Sequence, residues 1–147
     1  MENVILIGMP ASGKSTVGVV LAKVLGYDFI DTDIVLQAHA GCRLDELMER
    51  EGLEGFLAIE EEVCTGLTAV HTVIATGGSV VYGGRAMEHL RKMGTVVYLQ
   101  VELEDLAERL HDMRGRGVAF REDQSLEDLY RERVLLYEKY AAVTVCE

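Results

Sequence analysis

Residues 4 to 16 decide the fold: Val4-Ile5-Leu6-Ile7-Gly8-Met9-Pro10-Ala11-Ser12-Gly13-Lys14-Ser15-Thr16. The first four are a β-branched apolar run of the kind buried on both faces of a parallel sheet. The rest satisfies G-x-x-x-x-G-K-[ST]. Val17, Val20, Leu21, Val24 and Leu25 then recur at helical spacing, completing a strand-turn-helix unit that Gly26 closes. A loop of that composition curls so that backbone N–H groups point inward, and the helix behind it presents the positive end of its dipole. The pattern predicts a cradle for a chain of phosphates, formed by Gly8, Ala11, Ser12, Gly13, Lys14, Ser15 and Thr16. Lys14 would reach the β- and γ-phosphates and the Ser15 hydroxyl would ligate Mg²⁺, so ATP and Mg²⁺ are the expected ligands. The alternative is a plain Gly-rich turn with a surface lysine, and the agreement of strand, turn and helix stands against it.

Outward from this unit, strand and helix patterns alternate. Phe29-Ile30-Asp31, Thr72–Thr76, Thr95–Leu99 and Val143–Val145 read as further strands. Helices are expected as several short pieces between Asp33 and Ala69, then near Arg85–Met93, at Leu103–His111 and from Leu126 to about Tyr140. Ser125 with Asp128 resembles a capping box at the start of the last one. Parallel neighbours need crossover connections, usually helical, so the pattern implies an α/β fold with a largely parallel five-stranded sheet. Ligands of such sheets gather beyond the C-terminal strand ends.

The chain has 147 residues, with 14 Lys and Arg against 25 Asp and Glu, for a formal charge of −11. One domain over residues 1–147 is expected. That charge argues against a non-specific partner in duplex nucleic acid or an anionic membrane, so any polyanion must be held by a local device. No apolar run reaches the length of a membrane span and no signal peptide is legible, which makes cytoplasm the default expectation. Cys42, Cys64 and Cys146 are odd in number and far apart; they read as reduced, mostly buried thiols. His39, His71, His89 and His111 have no metal-ligand spacing and are expected at the surface or as caps.

Chemistry is sought just after each strand. Asp31-Thr32-Asp33 places two carboxylates at a strand end, where one could hold water around Mg²⁺ and the other a substrate hydroxyl; an N-cap alone would also explain them. Ala75-Thr76-Gly77-Gly78-Ser79 allows close approach of backbone to a ligand, or is simply a tight turn. Arg109, Arg114 and Arg116 surround Gly115 and Gly117, a candidate hinged lid, with solvated arginines as the alternative. Arg133 follows Glu132 on the last helix, where pairing with a neighbouring Glu is an equally cheap reading.

Together the Gly8–Thr16 loop, Asp31-Thr32-Asp33, Gly52 to Glu60, Ala75–Ser79, Val96–Leu99, the arginine loop ending in Arg116 and the segment from Arg133 to Ala141 resemble the shikimate kinases. The resemblance covers essentially the whole chain. It implies a P-loop kinase fold, a three-layer α/β/α sandwich with a five-stranded parallel sheet, a substrate-binding segment at about 34–61 and a lid at about 112–123. It also implies an ATP-dependent phosphorylation of a hydroxyl of shikimate, a small-molecule substrate, and a monomer. Lys14 and Ser15 would hold ATP and Mg²⁺, with Asp31 reaching the metal through water. Asp33 would bind the ring hydroxyls and orient or deprotonate the acceptor. Gly77 and Gly78 would offer backbone donors to the substrate. Arg109 would lie against the adenine, Arg116 would stabilise the phosphoryl group, and Arg133 would pair with the substrate carboxylate.

Three departures accompany the match. The family pattern G-E-x-x-F-R reads Gly52-Leu53-Glu54-Gly55-Phe56-Leu57 here, so Leu57 stands where a second carboxylate-binding arginine is usual. Losing such a pair would cost on the order of 1.5–3 kcal/mol of acceptor binding. Glu60, which helps orient that arginine in the family, would repel an acid if it faced the pocket, but is expected as an exposed helix charge. Ser79 replaces the last of three glycines. The sequence ends at Glu147, where the family continues through an adenine-contacting loop and a helix, so either the chain is truncated or its nucleotide site is more open. Two other readings stay open: the same kinase chemistry on another small hydroxy acid or polyol, and a nucleotide-binding module without turnover.

Overall fold

The computed structural model describes residues 2–111 and 124–146. The expected lid at about 112–123, with Arg114 and Arg116, lies outside the described residues. Five strands, β1 (Asn3–Ile7), β2 (Asp28–Asp31), β3 (Thr72–Ala75), β4 (Gly94–Gln100) and β5 (Val143–Cys146), form one sheet in the order β2-β3-β1-β4-β5, with every pairing parallel. The helices are α1 (Lys14–Leu25), α2 (Thr32–Ala40), α3 (Leu44–Thr65), α4 (Gly84–Met93), α5 (Leu103–His111) and α6 (Leu126–Tyr140). This is the expected α/β/α arrangement.

Alternation along β1 explains the layers. Ile5 and Ile7 point into a core shared with α3, α4, α5 and α6 through Cys64, Met87, Leu106 and Tyr137. Leu6 points the other way, into a smaller cluster with Val73, Leu99 and Ala22 of α1. Both faces of the central strand are therefore dry, as its unbroken apolar run requires. A satellite cluster of Leu36, Leu44, Leu47 and Phe56 joins α2 to α3.

The valines of α1 do not form its buried face. Val17, Val20 and Val24 are exposed, whereas Gly18 and Ala22 are buried. The reason is close approach: a Cβ at Gly18 would lie 2.6 Å from Phe29 Cε1, so the helix meets the sheet through its smallest residues. Between residues 33 and 69 the expected short helices are α2 and the two pieces of α3. The longer, α3, is broken internally where Gly52 adopts φ 73° and ψ 176°. A 3₁₀ turn at Val80–Tyr82 was not legible in the sequence.

The termini of α6 follow the sequence: Ser125 Oγ accepts from the Asp128 N–H and Asp128 reaches back to the Ser125 N–H, which satisfies two otherwise orphaned donors. Of the cysteines only Cys64 is buried. Cys42 is half-buried and Cys146 is exposed, because β5 is an edge strand whose residues are all solvent-facing. Among the described residues no helix is long and apolar enough to cross a membrane.

Candidate active site

The strand-end loops converge on a cavity of about 390 Å³. Its floor is the phosphate loop. Lys14 is only 7% exposed, and its Nζ donates to Gly8 O at 2.8 Å, Met9 O at 2.7 Å and Ser12 Oγ at 3.3 Å. Burial lowers its pKa to about 8, against the opposing pull of Asp33. A partly desolvated cation, already surrounded by oxygens, is a strong local attractor for phosphate in an otherwise acidic protein. From α5, Arg109 Nη1 donates to Ala11 O at 3.0 Å, which brings that helix to the same loop.

Asp31 is the N-cap of α2, and its second oxygen faces the phosphate loop. Its Oδ1 caps α2 by accepting from the Asp33 N–H at 2.9 Å, and its Oδ2 accepts from Ser15 Oγ at 2.7 Å. The cap turns the chain so that Asp33 enters the cavity. Burial first, and the neighbouring Asp31 charge second, raise the Asp33 pKa to about 6, with Lys14 opposing.

Gly77 is wedged between two acids. A Cβ there would lie 2.7 Å from Asp33 Oδ1 and 2.8 Å from Glu60 Oε2. Its N–H donates to Thr32 Oγ1 at 3.2 Å. The carbonyl of Gly78 accepts from Tyr137 Oη at 2.5 Å, and the Tyr137 ring stacks on Tyr98 with centroids 5.0 Å apart.

Glu60 is not the exposed helix charge expected of it. It is 3% exposed and lines the cavity, because Phe56, Glu60 and Cys64 recur every four residues on the inward face of α3. Ser79 Oγ donates to its Oε1 at 2.6 Å. Burial raises the Glu60 pKa to about 7; the Ser79 bond opposes this most, and the Arg133 and Lys14 charges also lower it while Asp33 raises it.

Arg133 is fully buried. Its Nε donates to Tyr82 Oη at 3.3 Å and its guanidinium sits 5.2 Å from the Tyr82 ring centroid, a geometry that compensates a buried cation. On the outer face of the same helix, Arg131 donates to Glu127 at 2.5 Å. The structure thus brings Lys14, Ser15, Asp33, Gly77, Gly78 and Arg133 around one cavity. The places of Glu60, Ser79 and Tyr137 escaped the sequence. The resemblance singles out Glu60, and the four-residue recurrence on α3 is the signal for its inward side.

A parallel sheet of this order, with a phosphate loop after β1 and a carboxylate entering the cavity at the end of β2, defines a P-loop kinase. The profile of the family described as "Shikimate kinase" matches residues 10–147. A shikimate kinase of Synechococcus sp. (strain RCC307) is 43% identical over 139 residues, spanning 92% of this chain and 71% of that protein. One from Clostridium botulinum (strain 657 / Type Ba4) is 37% identical over 151 residues, spanning 99% of this chain and 88% of its own length. A solved structure of shikimate kinase from Acinetobacter baumannii in complex with shikimate superposes with a TM-score of 0.88 at 33% identity, covering 99% of this chain and 83% of that one. The chain belongs to the shikimate kinase family, and its reaction is the ATP-dependent phosphorylation of a hydroxyl group of shikimate.

Proposed function

We propose that the cavity beside the phosphate loop is where this reaction occurs and that each side chain brought into it has a distinct part. The observation that carries the proposal is the convergence of Lys14, Asp33 and Arg133, three charged groups from three helices, on one cavity. Lys14 would exchange its bonds to loop carbonyls for bonds to phosphate oxygens, so that little reorganisation is needed when ATP arrives. Asp33 would accept a hydrogen bond from the acceptor hydroxyl, orienting it for in-line attack, and would take its proton as the new P–O bond forms and the bond from the γ-phosphorus to the departing ADP breaks. With a pKa of about 6 it is mostly ionised at neutral pH, yet basic enough to serve. Arg133, rigidly held by Tyr82, would pair with the acceptor carboxylate.

Ser15 Oγ and Asp31 Oδ2 form a pair of hard oxygen donors 2.7 Å apart beside the phosphate loop, which suits Mg²⁺. Among the described residues no cluster of three His, Cys, Asp or Glu offers a dedicated cage, in keeping with an ion held mainly by phosphates and water. Bound there, Mg²⁺ would neutralise charge on the phosphates. The family resemblance supplies two further roles, Arg116 stabilising the transferring phosphoryl group and Arg109 lying against the adenine.

Leu57 is assigned the position of a missing carboxylate-binding arginine. It packs with Phe56 and Leu53 in the apolar cluster between α2 and α3, which leaves Arg133 as the anchor for the acceptor's charge. Coupled ADP release should be stimulated by shikimate and not by quinate or gluconate; no stimulation by shikimate overturns the assignment. Leu57→Arg should lower the shikimate KM by roughly tenfold, and an unchanged or raised KM would remove position 57 from acceptor recognition.

A further inference from the structure

Glu60 has no part in those roles, yet it reaches the same cavity from α3. Its two oxygens are differently placed: Oε1 is held by the Ser79 hydroxyl, and Oε2 faces Gly77 opposite the Asp33 carboxylate. The charged and titratable groups acting on it come from every side of the cavity: Asp33 from α2, Lys14 from α1 and Arg133 from α6. Cys64, one turn further along α3, feels the Glu60 charge in return.

An ionised Glu60 would offset the Arg133 charge that an acidic acceptor needs and would repel that acceptor directly. Uncharged, it would do neither, and its carboxyl could still exchange hydrogen bonds with a ring hydroxyl. An acceptor without a carboxylate would be indifferent to the difference. Resting on the shikimate reading of the cavity, we propose that Glu60, held by Ser79, is a specificity-determining residue: uncharged it admits an anionic ring acid beside Arg133, and ionised it favours uncharged polyol acceptors. Ser79 is integral to this, since its hydroxyl favours the ionised form through the bond to Oε1.

The test compares shikimate with its uncharged methyl ester at saturating ATP and Mg²⁺, from about pH 6 to pH 9. For the unaltered protein the shikimate KM should climb above about pH 7, approaching tenfold per pH unit, while the ester KM stays within about twofold. In Glu60→Gln the shikimate KM should vary by less than about twofold over the same range. In Ser79→Gly, with the hydroxyl gone, the climb should begin at higher pH. Acid and ester should share one kcat profile in each protein, because Asp33 serves both.

Parallel changes in the KM of acid and ester overturn the inference, as does a climb that persists in Glu60→Gln. Calorimetric titration of shikimate into the ATP-free proteins repeats each arm without turnover. Binding that weakens with pH only when Glu60 is present, with no ADP released, would sink the proposed reaction roles and sustain this inference. Turnover with a pH-independent shikimate KM would do the reverse, and failure of shikimate to bind any of the proteins would overturn both.

Discussion

Replacing Asp33 by Asn should make the protein more stable and far less active, by amounts that follow from its surroundings. Its carboxyl titrates near 6 in the fold against an ordinary 3.8, because burial and the Asp31 charge both oppose ionisation. The folded state therefore binds this proton more tightly than the unfolded chain does. The stabilisation is complete below about pH 3.8 and has been lost once pH passes about 6, leaving the native state to bear the cost of the charge. A shift of that size corresponds to about 3 kcal/mol, of which partial solvent access at the cavity leaves about 2 kcal/mol. Asn carries no charge, so at pH 8 the Tm of the ATP-free variant should exceed that of the parent by about 4–8 °C. The gain should nearly vanish at about pH 4, while kcat at neutral pH falls at least about 100-fold. Scanning calorimetry at both pH values with a coupled assay for ADP decides the matter. A Tm at pH 8 equal to or below the parent's, or the same gain at pH 4, would refute the reasoning from burial.

Lys14→Ala should cut phosphoryl transfer by on the order of 100- to 1,000-fold and weaken ATP binding measured by calorimetry, since it removes the cation at the phosphate loop. Gly77→Ala would press a methyl group against Asp33 and Glu60, so kcat/KM for shikimate should drop on the order of 100-fold while the Kd for ATP moves less than about twofold. Tyr137→Phe deletes the hydroxyl that donates to the Gly78 carbonyl; thermal unfolding should show a loss of about 1–2 kcal/mol, or about 2–8 °C, and steady-state kinetics a several-fold rise in shikimate KM.

What could be read from the chain was whatever neighbouring residues determine among themselves. The buried strand β1, the phosphate loop, the start of α5 and the bounds of α6 are set by local periodicity, glycines and caps, and the structure reproduces them. What escaped depends on partners distant in sequence. Nothing near Val20 or Val24 says that α1 meets the sheet through Gly18 and Ala22, because Phe29 imposes that closeness from β2. Glu60 was expected among the exposed acids of a charged helix, and the partner that satisfies its carboxylate inside, Ser79, lies 19 residues on. Asp31 and Asp33 were legible as a pair, but the division of labour between one carboxylate's two oxygens needed coordinates. Arg133 was tied to the site by resemblance alone until Tyr82 was seen to hold it there.

The phenol of Tyr137 sits 3.8 Å from Met9 Sδ and 2.5 Å from the Gly78 carbonyl, so a single ring on α6 props the donor loop and the acceptor turn together. A lineage drifting toward a new acceptor has freedom on α3, which reaches the cavity without bracing the phosphate loop. On α6 the same drift would disturb both substrates at once, so that helix should be the slower of the two to diverge.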